Sequence, residues 1–201
     1  MESTDSQRTF EERYVRGEVP WDAYLPPPEV MALADRLEAG RALDLGSGYG
    51  RSSIYLALEA WSVDGVEFIP IAVDEARRRA RQAGVTTRAH FYVGDVTRLD
   101  FLSGPYDLAL DVGCMHSFSL PALEAYHASL KRLLPQGACY LLFAHLRDRE
   151  DGSEESMRWV DESSIRTLFA DGFYLEEIVY GVTKVPNHPP WSSAWLTFQR
   201  V

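Results

Sequence analysis

The stretch that decides the fold is Asp44–Gly50, which has the sequence DLGSGYG. It joins a short apolar segment, 41–45, to an amphipathic segment, 51–60, and these patterns predict a buried strand and a helix. Glycines in such a turn let the backbone bend tightly and approach a ligand closely. In an open parallel sheet the ligand crevice lies at the carboxyl ends of the strands, so this turn is the predicted binding site.

Strands and helices alternate along most of the chain on either side of this turn. Apolar periodicity predicts helices over 6–16, 28–39, 51–60, 70–83, 120–134 and 161–170, and strands over 41–45, 61–67, 88–93, 106–112, 138–146, 173–180 and 193–201. The alternation favours an α/β fold, a doubly wound parallel sheet with helices on both faces. The last two strands have no helix between them, so we expect them to pair as an antiparallel hairpin.

The length and charge of the chain limit its organisation and its partners. The chain has 201 residues and no long linker, so we expect a single domain over 1–201, with an N-terminal segment at 1–27 and a core at 28–201. Its net charge is −10 and no basic patch stands out, which argues against a nucleic-acid partner. A monomer and a homodimer both remain open.

The apolar runs and the cysteines indicate a cytoplasmic protein. No apolar run is long enough to span a bilayer, so no membrane partner is expected. The first residues are polar and acidic, unlike a signal peptide. Cys114 and Cys139 lie in apolar segments without metal-like spacing, which favours two buried free thiols and no metal site.

Two classes of cofactor bind to a turn of this kind. Dinucleotides need a small residue at the third position of G-x-G-x-x-G, and Arg51 at that position argues against a nicotinamide dehydrogenase. The pattern D-x-G-x-G-x-G instead suits a zwitterionic methionine moiety, with backbone N–H groups for its carboxylate and an acid for its ammonium group. The predicted contacts are Asp44, Gly46, Ser47, Gly48 and Gly50. The alternative is a glycine-rich turn that holds no ligand.

Two further acids follow the glycine turn at the ends of predicted strands. Glu67 ends the second strand, where a carboxylate can accept hydrogen bonds from both ribose hydroxyls, and Phe68 could lie against adenine. Asp95, followed by Val96, ends the third strand and could accept from the adenine amino group. The alternatives are a surface glutamate that caps the next helix and an N-cap aspartate.

These motifs resemble those of the class I S-adenosylmethionine-dependent methyltransferases. Asp44–Gly50 is similar to their first motif, Glu67 to their ribose-binding acid, Asp95 to their adenine-binding acid and 107–112 to their fourth strand. The resemblance covers about 28–201. It implies S-adenosylmethionine as the cofactor, and a Rossmann-like sheet of seven strands in the order 3-2-1-4-5-7-6, with strand 7 antiparallel.

A narrower resemblance concerns the small-molecule group that contains the thiopurine methyltransferases and the tellurite-resistance proteins. It rests on the sequence GEVPWD at 17–22, on Pro28 with Glu29, and on DVGCMH at 111–116. It implies methyl transfer to an O, N or S atom of a small molecule, with Trp21 near the cofactor. A protein that binds the cofactor but has a non-methylating or regulatory role remains the alternative.

Residues that follow the fourth and fifth strands are candidates for catalysis and substrate binding. His116 follows the fourth strand and is the candidate general base, although a capping or merely polar histidine is the alternative. Asp111 is expected to help hold the amino group of the cofactor. His145 ends the fifth strand, and Tyr14 and Trp191 could cover an apolar substrate pocket.

The N-terminal segment over 8–22 is expected to fold over the cofactor as a lid. This segment and the two residues after it contain five large apolar side chains, Phe10, Tyr14, Val15, Trp21 and Tyr24. A disordered tail would not hold so many, so we expect them to be buried. A lid would exclude water from the transferring methyl group. The alternative is packing on a remote helix face.

Overall fold

A computed structural model describes residues 5–147, 159–184 and 190–201. The chain falls into two compact units, Met1–Val96 and Thr97–Val201. The acidic stretch at 148–155, whose sequence predicts a loop, lies outside the described residues, and so does His188 in the proline-rich stretch that precedes β7.

The first unit begins with two helices and continues as three strands that alternate with two more helices. Its elements are α1 (Asp5–Arg16), α2 (Pro28–Arg36), β1 (Arg41–Leu45), α3 (Arg51–Leu58), β2 (Ser62–Glu67), α4 (Pro70–Gln82) and β3 (Ala89–Val93). Both β1 and β3 pair with β2 in parallel. Every residue of β2 after Ser62 is buried, as expected for a strand with both faces covered.

The second unit contains the remaining four strands. Its elements are β4 (Leu108–Val112), a 3-10 turn (Met115–Ser117), α5 (Leu120–Leu133), β5 (Cys139–His145), α6 (Glu162–Phe169), β6 (Phe173–Thr183) and β7 (Trp191–Arg200). Strand β5 is parallel to β4 and antiparallel to β7, which also pairs with β6. Four fully buried aromatic side chains, Tyr126, Tyr140, Phe169 and Phe198, form much of its core.

The strand order confirms the predicted Rossmann-like fold. The seven strands follow the order β3-β2-β1-β4-β5-β7-β6, and β7 is antiparallel to both of its neighbours. The predicted hairpin is longer than expected, because β6 and β7 continue pairing as far as Thr183 and Trp191.

The helix predicted over 28–39 is shorter, because it ends at Arg36. Leu37 is extended, with φ −93° and ψ 147°. The carbonyl of Gly40 accepts a hydrogen bond of 2.9 Å from the N–H of Ser62. A glycine after an amphipathic segment is typical of a helix cap, so the sequence predicts that Gly40 caps this helix. Gly40 instead leads into the pairing of β1 with β2, and this prediction is wrong.

Burial corrects three further expectations. Val15 is 67% exposed and Tyr24 is 98% exposed, so neither is part of an apolar face, whereas Tyr14 is buried. Cys139 is buried as expected, whereas Cys114 is only half-buried. Among the described helices, none has the length and apolar character needed to cross a membrane.

Candidate active site

The turn between β1 and α3 depends on three glycines with left-handed backbone angles. Gly46, Gly48 and Gly50 have φ values of 71°, 54° and 80°, which L side chains rarely adopt. A Cβ atom at Gly50 would stand 2.7 Å from two ring atoms of Phe91. One at Gly48 would stand 3.2 Å from the hydroxyl of Tyr14. The glycines therefore let the turn form and let two aromatic side chains approach it.

The backbone N–H groups of this turn are used within the protein. Those of Gly46 and Ser47 both donate to the carbonyl of Val66, at 2.8 and 3.0 Å, and that of Gly50 donates to the carbonyl of Ser47. The N–H of Gly48 donates to Glu67. Each of these four N–H groups has an internal acceptor in the structure, and the binding of the cofactor's carboxylate by N–H groups of the turn stays a prediction.

Glu67 links the glycine turn to the start of α4. Its Oε2 accepts from the Gly48 N–H at 3.1 Å, and its Oε1 accepts from the Ile69 N–H at 3.0 Å. The side chain is only 4% exposed, so it is not a surface glutamate. Burial raises the pKa of Glu67 to about 7, although the hydrogen bonds from Ile69 and Gly48 act in the opposite direction. Its lone pairs not used by the backbone can still accept from a ligand.

Two polar groups beside the turn fit a bound polar ligand. Asp44 is buried, and its carboxylate accepts a 2.6 Å hydrogen bond from the hydroxyl of Ser53. Burial raises the pKa of Asp44 to about 6, and Ser53 and Arg51 partly offset this. The hydroxyl of Ser47 is buried and has no hydrogen-bond partner among the described residues. Such an orphaned group favours a ligand or water at this point.

The N-terminal helix packs against the glycine turn through Tyr14. This residue lies in a cluster with Ile69 and Ala72, and its hydroxyl accepts from the Nε1–H of Trp21 at 3.3 Å. Its ring centroid is 5.0 Å from that of Tyr49 in the turn. We therefore propose that Tyr14 faces the cofactor, in place of the predicted contact with substrate.

An ion pair that the sequence analysis missed holds the same segment to α4. The guanidinium of Arg79 donates to both carboxylate oxygens of Asp22, at 2.9 and 2.8 Å. It also lies over the ring of Tyr49, at 4.6 Å. The two partners are 57 residues apart, so no local pattern indicates the pair. We call Asp22, Arg79 and Tyr49 the latch.

The predicted adenine contacts lie at the end of β3 and the start of α4. Asp95 is exposed, Val96 is buried, and Phe68 is half-buried with its ring 5.8 Å from that of Phe10. Their contacts with adenine stay predictions.

In the second unit, Asp111 holds the 3-10 turn that follows β4. Its carboxylate is completely buried and accepts from the N–H of Cys114 at 2.7 Å, the N–H of Met115 at 3.1 Å and the hydroxyl of Tyr126 at 2.8 Å. The hydroxyl of Tyr126 also lies 3.0 Å from that of Tyr140. We propose that Asp111 positions this turn, in place of the predicted contact with the cofactor.

The hydrogen bond that His116 accepts determines its tautomer. Its Nδ1 lies 3.2 Å from the backbone N of His145, which can only donate. Nδ1 therefore has a lone pair, and the proton of the neutral ring is on Nε2. Burial, and then the neighbouring His145, lower the pKa of His116 to about 3. In this arrangement His116 is a hydrogen-bond donor at Nε2, which does not support the predicted general base.

An aromatic cluster surrounds His145 at the end of β5. Its ring centroid lies 4.7 Å from His116, 4.8 Å from Trp159 and 5.2 Å from Trp191. Phe143 lies 5.4 Å away. The structure thus places the predicted residues His116, His145 and Trp191 together and adds Trp159, which the sequence analysis missed because it follows no periodic segment.

Comparisons with known proteins agree with this architecture. A family model described as a methyltransferase domain matches residues 42–137. A 2-heptyl-1-hydroxyquinolin-4(1H)-one methyltransferase of Mycobacteroides abscessus is 25% identical over 181 residues, which are 86% of this chain and 79% of that protein. The chain spans 43% of the length of two further curated methyltransferases.

Two solved structures resemble the chain over nearly its whole length. One comes from work on the conversion of a disulfide bond into a thioacetal group during echinomycin biosynthesis. It is 28% identical, has a TM-score of 0.77, and the match covers 96% of this chain and 92% of that one. The other is the 1,6-didemethyltoxoflavin-N1-methyltransferase of Burkholderia thailandensis with bound S-adenosylhomocysteine. At 22% identity, a TM-score of 0.75 and coverage of 98% and 87%, it supports the fold.

The glycine turn with its buried acids, the strand order and the matched methyltransferase domain agree with one another. Over 42–137 the chain is similar to a methyltransferase domain, and its strand order is that of the Rossmann-like methyltransferase fold.

Proposed function

We propose that the protein transfers the methyl group of S-adenosylmethionine to an O, N or S atom of a small molecule. The observation that supports this most strongly is the buried carboxylate of Glu67, which Gly48 and Ile69 hold at the glycine turn. When bound, S-adenosylmethionine supplies an activated methyl group on a sulfonium. The protein then has to position the reacting atoms and exclude water, with little further chemistry of its own.

We propose that the first unit holds the cofactor through four kinds of contact. Glu67 accepts from the ribose hydroxyls and Asp44 from the ammonium group, while Phe68 and Asp95 with Val96 surround the adenine. The hydroxyl of Tyr14 is a further donor to the carboxylate, beside the turn N–H groups. Burial raises the pKa of this hydroxyl, so it stays protonated, and it accepts from Trp21, which leaves its own proton to donate.

A small, flat acceptor is supported by the relatives and by the aromatic cluster. The names of two compared proteins concern heteroaromatic compounds, 2-heptyl-1-hydroxyquinolin-4(1H)-one and 1,6-didemethyltoxoflavin, whereas the work on the third concerns a disulfide. The rings around His145 form apolar walls of the kind that bind flat ligands. We further propose that residues 1–201 form one domain, located in the cytoplasm.

Methyl transfer is tested by incubating the protein with S-adenosylmethionine and a panel that contains a phenol, a thiol, an amine and a hydroxyquinolone. We expect S-adenosylhomocysteine to form with at least one class, at a rate above the rate without acceptor. A protein that binds S-adenosylhomocysteine in a calorimeter but converts no acceptor would favour the alternative of a non-methylating role.

Affinity for S-adenosylhomocysteine is expected to fall as the pH is lowered below about 7, the pKa of Glu67 in the free protein. Because this pKa is raised, Glu67 is protonated below that pH, whereas ribose hydroxyls need the ionised acceptor. Binding must then release a proton, and affinity should fall about tenfold per pH unit. Asp44, with a pKa of about 6, should steepen the decrease below pH 6. Calorimetry in buffers of different ionisation enthalpy measures both the affinity and the released proton.

The variant Glu67→Ala is the control for this prediction. It should bind S-adenosylhomocysteine about 1–3 kcal/mol more weakly at pH 8, the range for lost hydrogen bonds to a charged acceptor. It should also lose the pH dependence between pH 6 and 8. A variant as tight and as pH-dependent as the wild type would remove Glu67 from the cofactor site.

Residues 8–22 are expected to become strongly protected from hydrogen exchange when S-adenosylhomocysteine binds. Tyr14 and Trp21 already pack on the glycine turn, and the latch ties Asp22 to α4, so a bound cofactor would add contacts beneath them. Asp22→Asn should lower the added protection by less than about 1 kcal/mol, as for a partly exposed ion pair. Strand β6 is the internal control. Identical exchange of 8–22 with and without ligand would instead favour packing that serves stability alone.

A further inference from the structure

The cluster around His145 contains polar atoms that the protein itself leaves without partners. The Nδ1 of His145 and the Nε1–H of Trp159 are both buried and make no hydrogen bond among the described residues. An unpaired buried polar group destabilises the folded protein. Two such atoms, on rings whose centroids are only 4.8 Å apart, indicate a place where a ligand with polar atoms is expected.

The backbone N–H of His145 determines which nitrogen of the neighbouring His116 ring can donate a hydrogen bond to the ligand. Because Nδ1 of His116 accepts from the N–H of His145, its Nε2 has the proton and can only donate. The Nε1 of Trp159 is likewise a donor. The cluster therefore presents two N–H donors on rings whose centroids are 4.8 Å apart, and the ring of His145 contacts both of them.

The cluster is poorly suited to remove a proton from a substrate. Accepting a proton would create an imidazolium ion, yet the described residues place no carboxylate against either histidine. Burial lowers the pKa of His145 to about 4, and burial with the neighbouring ring lowers that of His116 further. Both rings therefore stay neutral at physiological pH.

We propose that the cluster of His116, His145 and Trp159 binds a flat heteroaromatic acceptor as its oxyanion, with the N–H groups of His116 and Trp159 donating to its polar atoms. This inference rests on the proposed methyl transfer and specifies its acceptor. The class is a hydroxy-heteroaromatic compound whose hydroxyl loses its proton to water before it binds. A lone pair of the oxyanion forms the new O–C bond, the C–S bond breaks, and its electron pair stays on sulfur. No proton moves during this step.

The test uses two probes, 2-heptyl-1-hydroxyquinolin-4(1H)-one and its analogue without the N-hydroxyl group, titrated calorimetrically into protein saturated with S-adenosylhomocysteine. We expect the hydroxylated probe to bind more tightly, and its advantage to grow as rising pH ionises it. Trp159→Phe keeps an aromatic ring but removes the N–H, and should weaken binding of this probe about tenfold or more. The matched control is Trp61→Phe, because Trp61 is also buried with an unpartnered Nε1 but belongs to the first unit. It should bind the probe as the wild type does.

A second measurement addresses His116 without relying on activity. Nitrogen-15 NMR should show its proton on Nε2, unchanged between pH 5 and 8. A proton on Nδ1, or titration of His116 near neutral pH, would overturn the proposal. So would equal effects of Trp159→Phe and Trp61→Phe, or no binding of either probe to a protein that binds S-adenosylhomocysteine, and in these cases the proposed function would stand. Failure of S-adenosylhomocysteine itself to bind would overturn both.

Discussion

Replacement of Gly48 by valine is expected to abolish the binding of S-adenosylhomocysteine while leaving a folded protein. Gly48 has a φ of 54°, and a Cβ atom there would already stand 3.2 Å from the hydroxyl of Tyr14. The two γ-methyl groups of valine would extend into the space proposed for the methionine moiety. The left-handed backbone adds roughly 1–2 kcal/mol of strain to the fold. Calorimetric titration should show no measurable heat of binding.

The matched control for Gly48→Val is Gly84→Val. Gly84 also has a left-handed backbone, with a φ of 72°, but a Cβ atom there meets nothing within 4 Å. Gly84→Val should therefore lose only the free energy of the backbone strain in urea, and it should bind S-adenosylhomocysteine normally. Unchanged affinity of Gly48→Val would refute the assignment of the glycine turn as the cofactor site.

The variant Gly50→Ala is expected to lower the free energy of unfolding more than any other single substitution considered for the turn. Its Cβ atom would stand 2.7 Å from the ring of Phe91 and 3.2 Å from the Cβ of Ala76, at a φ of 80°. Backbone strain of roughly 1–2 kcal/mol and overpacking of about 1–3 kcal/mol together give a loss of about 2–5 kcal/mol. Urea denaturation followed by circular dichroism measures it.

Gly137, which has a φ similar to that of Gly50, allows the backbone strain to be measured separately from the overpacking. Gly137 has a φ of 87°, and no atom lies within 4 Å of its Cβ position. Gly137→Ala should therefore lose only the strain, and Gly50→Ala/Phe91→Leu should recover part of the overpacking. If Gly50→Ala and Gly137→Ala lose the same free energy, the contact between the turn and Phe91 contributes nothing measurable.

Much of the fold could be predicted because its signals are local. The bounds of β1 match those predicted for 41–45, and the periodicity of α4 and α5 gives helices close to those observed. The error at Gly40 has a different origin. A glycine after an amphipathic segment is typical of a helix cap, but pairing with Ser62 in the next strand determines its actual conformation.

A site residue could be predicted from the sequence only where it ends a strand, because the strand then places it at the crevice. Glu67 ends the strand after the glycine turn, and the structure does bring it to Gly48. The chemistry of His116 depends instead on the backbone of His145, which is 29 residues away. Arg79 is 57 residues from Asp22, and Trp159 also packs against His116, which is far from it in sequence, so no periodicity indicates these contacts.

The latch also implies an order of events in each turnover. If the cofactor lies beneath Tyr14, the spent product cannot leave until the N-terminal segment detaches, so Arg79 must first release Asp22. Opening of this segment, rather than the methyl transfer itself, would then limit the steady-state rate. That rate should then depend on solvent viscosity and on ionic strength. Added salt weakens the partly exposed ion pair between Arg79 and Asp22. Turnover should therefore become faster as salt is added, while the affinity for the product decreases.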